Sequence, residues 1–470
     1  MKLEILTQQD IFRIDRAAKH ILECTGVLVP HEEMLEIFAK SGADVDKVSG
    51  RVRIPSKLIE DCLVQAGKTF TIYGRNREKK AEFGAGKRNY NSTAGQAHWI
   101  DKNGSRRFAC LDDVTEASKL GDVLSDITIV GAMSDPHEID VSYRCVEVAA
   151  TQLRTTTKPI TFWFYDRLSA KYIVEVLTAV AGSRAELAKY PLTYPLLEPI
   201  SPLRFNTNGI DLLFETSLVP LPVTVGPMAQ AGLSAPVTLA ATVAQETAEI
   251  LAGICVVQLI KPGTPVCFGG ICHAFDMRTT QIIFGGPEQA LMAVACVQMG
   301  KYYGLPVYTN TGLTDSKCVD AQAGLEIAVT LVMAALAGSD IFGHLGISGA
   351  DQGASLEMLL LQHEVVKYVE RIMRGFTVNN EKLAIDLIDR VGPGGIFIDQ
   401  THTVTHFREE LWMPDMLDRS FWSQWEDSGR LTLVDKLKSR VKELLLDYEE
   451  NPLTEDISKE VDKIVNKAKT

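Results

Sequence analysis

From about residue 127 to residue 373, short apolar runs alternate with long stretches of helical periodicity, and this rhythm restricts the chain to α/β architectures built on a parallel sheet. Strands are expected at 127–130, 160–163, 193–197, 223–225, 266–268, 307–309 and 341–343. Helices are expected between and after them at 141–154, 169–180, 236–260, 287–303, 321–337 and 356–373. Stops such as Lys261-Pro262-Gly263 separate a helix from the next strand. About seven such units favour a closed (β/α)8 TIM barrel, with the eighth strand taken either from near Tyr90 or from Ile396-Phe397-Ile398. An open doubly wound sheet would carry a glycine-rich phosphate loop after an early strand. Gly84-Ala85-Gly86 runs into Lys87, Arg88 and Asn89 without a third glycine, and no Walker loop is present.

The flanks read differently. Residues 1–85 are expected to form a helical lead-in, because Ile11, Ile14, Ala18, Ile21 and Leu22 recur at helical spacing before Gly26. The barrel is assigned to 86–400. Residues 401–470, with their interleaved charges, are assigned to a helical segment packed on it.

The 48 basic and 60 acidic side chains give a net charge of −12, which excludes a general nucleic-acid binder. The longest uncharged stretch, 216–245, is cut by Pro220, Pro222, Pro227 and Pro236, so no membrane role is expected. The amino terminus lacks the apolar core of an export signal, and nine cysteines at irregular spacing suit reduced thiols in a cytoplasm.

Barrel chemistry gathers where strands end. The residues expected there include Ser134, Asp135, Tyr165, Glu198, Arg204, Phe205, Met228, His273, Asp276, Arg278, Asn310, Thr311, Asp315, His344 and Asp351. Many such residues serve only as helix caps or turn formers. No metal site is expected: His402-x3-His406 would align two imidazoles on a helix, but a third ligand is missing. A Gly-x-Ser-x-Gly elbow is absent as well. What remains is a polar, acid-biased cavity with rings nearby, suited to a cation. Trp163, inside an apolar run, reads as core.

Several segments resemble the trimethylamine:corrinoid methyltransferase family. They are Gly226-Pro227-Met228-Ala229 through Ala240, Asp276-Met277-Arg278-Thr279, Tyr303-Gly304-Leu305-Pro306, Thr314-Asp315-Ser316-Lys317, and Asp320 through Glu326. The likeness continues at Leu336-Ala337-Gly338, His402, His406 through Glu410, and Trp412-Met413-Pro414, and it spans nearly the whole chain. The resemblance implies a TIM barrel that binds a methylated amine. It also implies a separate corrinoid protein whose Co(I) takes the methyl group, giving methyl-Co(III) and the demethylated amine. Founding members use pyrrolysine, whereas this chain holds only standard residues and is most similar to the glycine betaine branch. The cobalamin-type corrinoid would come from the partner, none being bound covalently by this chain.

A quaternary nitrogen already carries the charge that makes an amine a leaving group, so positioning and electrostatics suffice for transfer. His344, helped by Asn310, Thr311 and Arg204, is expected to grip the substrate carboxylate, with Phe205 and Tyr165 as cage rings. Asp276, Arg278, Asp315, Lys317 and Gln322 are expected to organise the cavity or the corrinoid face. Glycine betaine leads as substrate, with proline betaine, carnitine and γ-butyrobetaine as alternatives. A non-catalytic methylamine-binding barrel is the alternative of another class, and a homo-oligomer is expected.

Overall fold

The computed structural model describes residues 2–470. Eight short strands form the centre: β1 (Asn89–Ser92), β2 (Ile127–Gly131), β3 (Ile160–Thr161), β4 (Leu196–Leu197), β5 (Val223–Val225), β6 (Val266–Gly270), β7 (Val307–Thr309) and β8 (Ile341–Leu345). They are hydrogen-bonded in the order β3-β2-β1-β8-β7-β6-β5-β4, every pair parallel. Between β3 and β4 the amide of Ile160 donates to Leu192 at 3.0 Å, which brings the two sheet edges together. A helix follows each strand: α1 (Leu111–Val123), α2 (Arg144–Thr155), α3 (Arg167–Ala181), α4 (Thr207–Thr216), α5 (Leu239–Ile260), α6 (Pro287–Tyr302), α7 (Ala321–Ala337) and α8 (Leu356–Arg374). This is a (β/α)8 barrel.

The strand near Tyr90 completes the barrel, and it comes first in the chain. Residues 396–398 form no strand, and Ile396 and Ile398 face solvent. Polarity hides β1 in the sequence, because its side chains bond sideways instead of filling an apolar core. The Asn89 amide donates to the carbonyls of Glu82 and Asp340, the Asn91 amide to the Tyr194 hydroxyl, and Ser92 Oγ accepts from Gly131 N. Helices α1 and α4 were also not expected. In α4 the Asn206 side chain caps a sequence that opens with the weak helix formers Thr207, Asn208 and Gly209.

The long apolar helix α5 is long and apolar enough to cross a membrane by length and composition, but 89% of its most apolar window is buried. It is a core helix, enclosed by the barrel strands and by the amino-terminal helices Gln8–His20 and Ser56–Gln65. A hairpin of Phe70–Tyr73 against Lys80–Phe83 then plugs the barrel base. Its Ile72, Ala81 and Phe83 pack with Ile129, Tyr194, Cys267, Tyr308 and Ile341 from the barrel interior. With one end stoppered, the strand carboxyl ends form the accessible mouth.

Helix α8 stops at Arg374, where Gly375 takes φ +65°. Residues 375–400, assigned to the barrel from sequence, therefore lie outside it. Two later helices return to the barrel wall, Leu433–Leu446 against α8 and α1, and Glu455–Ala468 against α3 and α2. All nine cysteines are free thiols.

Candidate active site

His344 sits near the end of β8, with φ +67°. Left-handed backbone costs a side-chain-bearing residue about 1–2 kcal/mol, and such strain collects at functional sites. Among the described residues, six of the eight non-glycine positions in this region belong to mouth segments: Met133, Leu203, Thr280, His344, Ala350 and Asp351. The strain is thus concentrated on one face of the barrel.

The His344 ring lies edge-on to Trp163, at 5.8 Å between centroids, and to Tyr308, at 5.9 Å. Tyr308 is fully packed in the barrel interior and forms the floor. Gly343 lets it sit there, since a Cβ at that position would fall 1.7 Å from the Tyr308 hydroxyl. Trp163 follows the two-residue β3 and is half-buried, its indole N–H donating to Gly95 O at 2.8 Å. It stands at the mouth, and the expectation that it is ordinary core is corrected. The strand ends at Thr161, so Trp163 is free to turn toward the axis.

Two carboxyls join these rings. Burial, with a smaller push from the negative Asp351, raises Glu198 to about 7. Asp351 is raised by burial to about 6, although the Gln96 amide donates to it at 2.7 Å. Both are walled by protein mass, yet Glu198 is half-open and Asp351 exposed, as befits groups facing the space of the mouth. Burial lowers His344 to about 4, so its imidazole is neutral near pH 7. Neither of its ring nitrogens has a hydrogen-bond partner among the described residues, which leaves one N–H and one lone pair for a ligand.

His273 lies close by, fully buried against Phe284 at 4.2 Å. Its Nδ1 donates to the Ile283 carbonyl at 3.1 Å and its Nε2 is orphaned, while burial pushes it down to about 3. Asn91 Oδ1, Thr93 Oγ1, Asn310 Oδ1 and Ser348 Oγ are likewise buried without partners. Unpaired buried polar atoms are uncommon in folded proteins, and here several come from segments at the same end of the barrel.

The remaining expected residues divide. The Asn310 side chain is buried at the end of β7, but Thr311 Oγ1 is 3.2 Å from Thr309 Oγ1, within the wall. The Tyr165 hydroxyl donates to Asp135, which also pairs with Arg144 at 3.2 Å. Arg204 is exposed, and Phe205 is buried in the core shared with the amino-terminal segment, its amide donating to Leu28 O at 2.9 Å. No hydrogen bond or ring contact links Arg204 or Phe205 to the His344 group among the described residues.

Asp276 caps its own turn, accepting from Arg278 N at 2.9 Å and Thr279 Oγ1 at 3.0 Å, and the Arg278 side chain is 90% exposed. Asp315 ties two mouth loops together, accepting from Phe284 N at 2.8 Å and Gly285 N at 3.2 Å. Lys317 donates to the Asp315 carbonyl, and Gln322 to Glu326, whose other oxygen accepts from Thr314 and Asp315. His402 and His406 do share a helix face, with rings 4.5 Å apart. No group of three or more potential metal ligands occurs among the described residues.

The cluster that sequence reasoning left unassembled is Trp163, Tyr308, Gln96, Glu198 and Asp351 around His344. Glu198 and Asp351 were legible as strand-end acids. Gln96 and Asp351 are 255 positions apart and meet only because the hairpin after β8 folds over the mouth.

The mouth of the barrel thus gathers ring side chains, a neutral imidazole and two carboxyls that burial raises. The family model described as trimethylamine methyltransferase (MTTB) matches residues 1–470, and the chain belongs to that family of methyltransferases. It is 30% identical over 450 residues to the glycine betaine methyltransferase of Desulfitobacterium hafniense (strain Y51), covering 95% of this chain and 93% of that protein. It is 28% identical over 491 residues to trimethylamine methyltransferase MttB1 of Methanosarcina acetivorans, covering 100% and 96%. Among solved structures, the Methanosarcina barkeri monomethylamine methyltransferase MtmB aligns with a TM-score of 0.44 at 12% identity, covering 95% and 96%.

Proposed function

We propose that the mouth binds a quaternary amine, glycine betaine first, and that one N-methyl group passes to Co(I) of a corrinoid carried by a partner protein in the cytoplasm. The observation that carries this reading is the His344 group: rings, an unpartnered neutral imidazole and two carboxyls that burial raises. Trp163 and Tyr308 offer ring faces to a trimethylammonium group. His344 offers a neutral N–H to the substrate carboxylate.

The charge balance follows from the chemistry. Methyl loss removes the positive charge from nitrogen, so a fully ionised carboxylate beside it would favour the ground state over the transition state. Raised Glu198, only partly ionised near pH 7, lessens that penalty, while Asp351 keeps the cavity attractive to a cation. The corrinoid, when presented, supplies the nucleophile. This chain positions the amine with one N–CH3 bond directed out of the mouth. Exposed Leu233, Val237 and Met277, which surround Gly232, give that rim an apolar docking patch for the partner. Glycine betaine leads because the 30%-identical relative carries that name.

Calorimetric titration with glycine betaine tests the site. His344→Ala is expected to weaken binding about tenfold or more, the loss of one hydrogen bond to a charged group. Unchanged affinity would remove His344 from the site.

A further inference from the structure

A second cavity at the mouth end lies apart from the His344 group. It holds about 200 Å³, between the loop after β7, which gives Lys317, the segment after β8, which gives Ser348 and Ser355, and the hairpin after β1, which gives Lys102. Lys438, from the helix Leu433–Leu446, completes the basic lining. None of Gln96, Trp163, Glu198, Tyr308, His344 and Asp351 lines it.

The lining is rich in donors. Lys102 and Lys438 form no ion pair or hydrogen bond among the described residues, and Lys317 gives one of its three N–H groups to the Asp315 carbonyl at 2.8 Å. Helix α8 begins here, and its first turn leaves the amides of Leu356 and Glu357 without a main-chain acceptor. Ser355 Oγ already caps the Met358 amide at 3.3 Å. The positive end of a 19-residue helix thus opens on the cavity. Two carboxylates stand against this charge. Asp101 is engaged by its own turn, accepting from Asn103 N at 2.8 Å and Ser105 N at 3.0 Å, and Glu357 accepts from Ser355 Oγ at 3.1 Å.

A buried orphan points to the same ligand chemistry. Ser348 is 1% exposed, and its Oγ has no hydrogen-bond partner, which is uncommon in a folded protein. Successive strand residues face opposite sides. Ile347 packs with Phe284, Leu313 and Ala350, so Ser348 turns away from that apolar cluster, toward the cavity it lines.

In (β/α)8 barrels the loops after the seventh and eighth strands, together with a helix N-terminus, recurrently hold a phosphate group. Those are the elements gathered here. We infer that this cavity binds a phosphate group, free or as the ester of a small molecule, through the three ammonium groups, the first amides of α8 and the Ser348 hydroxyl. A tetrahedral anion has oxygens enough to accept from donors on several sides at once.

Calorimetric titration of the full chain with inorganic phosphate at low ionic strength tests this, with glycerol 3-phosphate as the ester and chloride as the control. Saturable binding at one site per chain is expected, weakened by added salt. Lys102→Gln with Lys438→Gln should weaken it about tenfold, through the loss of two charge-assisted bonds, and Ser348→Ala about threefold. Glu357→Gln should tighten it, because a like charge is removed. Both lysines are exposed and Ser348 Oγ has no bond to lose, so the circular dichroism melts of the lysine and serine variants are expected to match the wild type. Tighter binding of glycerol 3-phosphate would assign the site to an ester, and equal or weaker binding to free phosphate. Heat that does not saturate with either ligand would overturn the inference, as would an affinity that the lysine pair and Ser348→Ala leave unchanged. Amine and corrinoid are absent from the titration, so its outcome is independent of the substrate assignment.

Discussion

At the residue scale, His344 combines a strained backbone with a side chain that the protein leaves unbonded, and substitutions separate the two roles. Glycine adopts φ +67° freely, so His344→Gly is expected to offset its lost packing with about 1 kcal/mol of relieved strain. His344→Ala keeps the strain and should unfold at lower denaturant than His344→Gly, with both variants equally poor in amine binding. Urea titration of the pair reads this difference. Glu198 supplies the pH dependence. As pH rises through about 7 its carboxyl ionises and holds the ground-state cation more tightly than the transition state, so KM and kcat should fall together. Steady-state rates between pH 6 and 8 should show this in the wild type, whereas Glu198→Gln should keep only the change near pH 6 that Asp351 supplies. Stability shifts with the same proton. The folded protein binds it more tightly than the unfolded chain, so that contribution is complete below about pH 4.5 and is lost as pH rises through about 7.

At the element scale, α5 does more than fill the core. Its buried Glu246 accepts from Ala229 N and Ile271 N, each at 3.0 Å, and so fastens the segments following β5 and β6. Glu249 does the same for the segment after β4 through Ser201 Oγ and Leu203 N. Burial raises both carboxyls, so they act as hydrogen-bonded anchors within the apolar helix. Glu246→Ala would orphan two buried amides at about 1–3 kcal/mol each, and urea unfolding should register a loss of that order, smaller in Glu246→Gln. The elements also show what could be read in advance. Strands β2, β5, β6, β7 and β8 were visible as apolar runs because both of their faces are buried in the barrel. Strand β1 was ambiguous because it is polar, and β3 was drawn two residues too long, which hid Trp163. The site was legible wherever its members end a strand, as His344, Glu198 and Asn310 do. It was not legible where a residue from far along the chain returns to the mouth, as Gln96 does against Asp351, or where a packed side chain such as Tyr308 does duty as a floor.

For the whole molecule, the barrel has two ends with different tasks. The amino-terminal hairpin stoppers the base, the segment beyond α8 spreads apolar and acidic surface there, and the mouth keeps the strain, the orphaned polar atoms and the His344 group. The net charge of −12 is compatible with drawing in a cation but locates nothing by itself. Membership of the trimethylamine methyltransferase family fits this division, and the choice of amine is the claim that gives the cavity its meaning. The most direct test is to mix the protein with cob(I)alamin and, separately, with glycine betaine, proline betaine, carnitine, γ-butyrobetaine and trimethylamine, and to follow loss of the Co(I) spectrum. The expected result is methylation with glycine betaine and formation of dimethylglycine in equal amount. Methylation by trimethylamine with none from any betaine would contradict the assignment, as would tight betaine binding without any loss of Co(I).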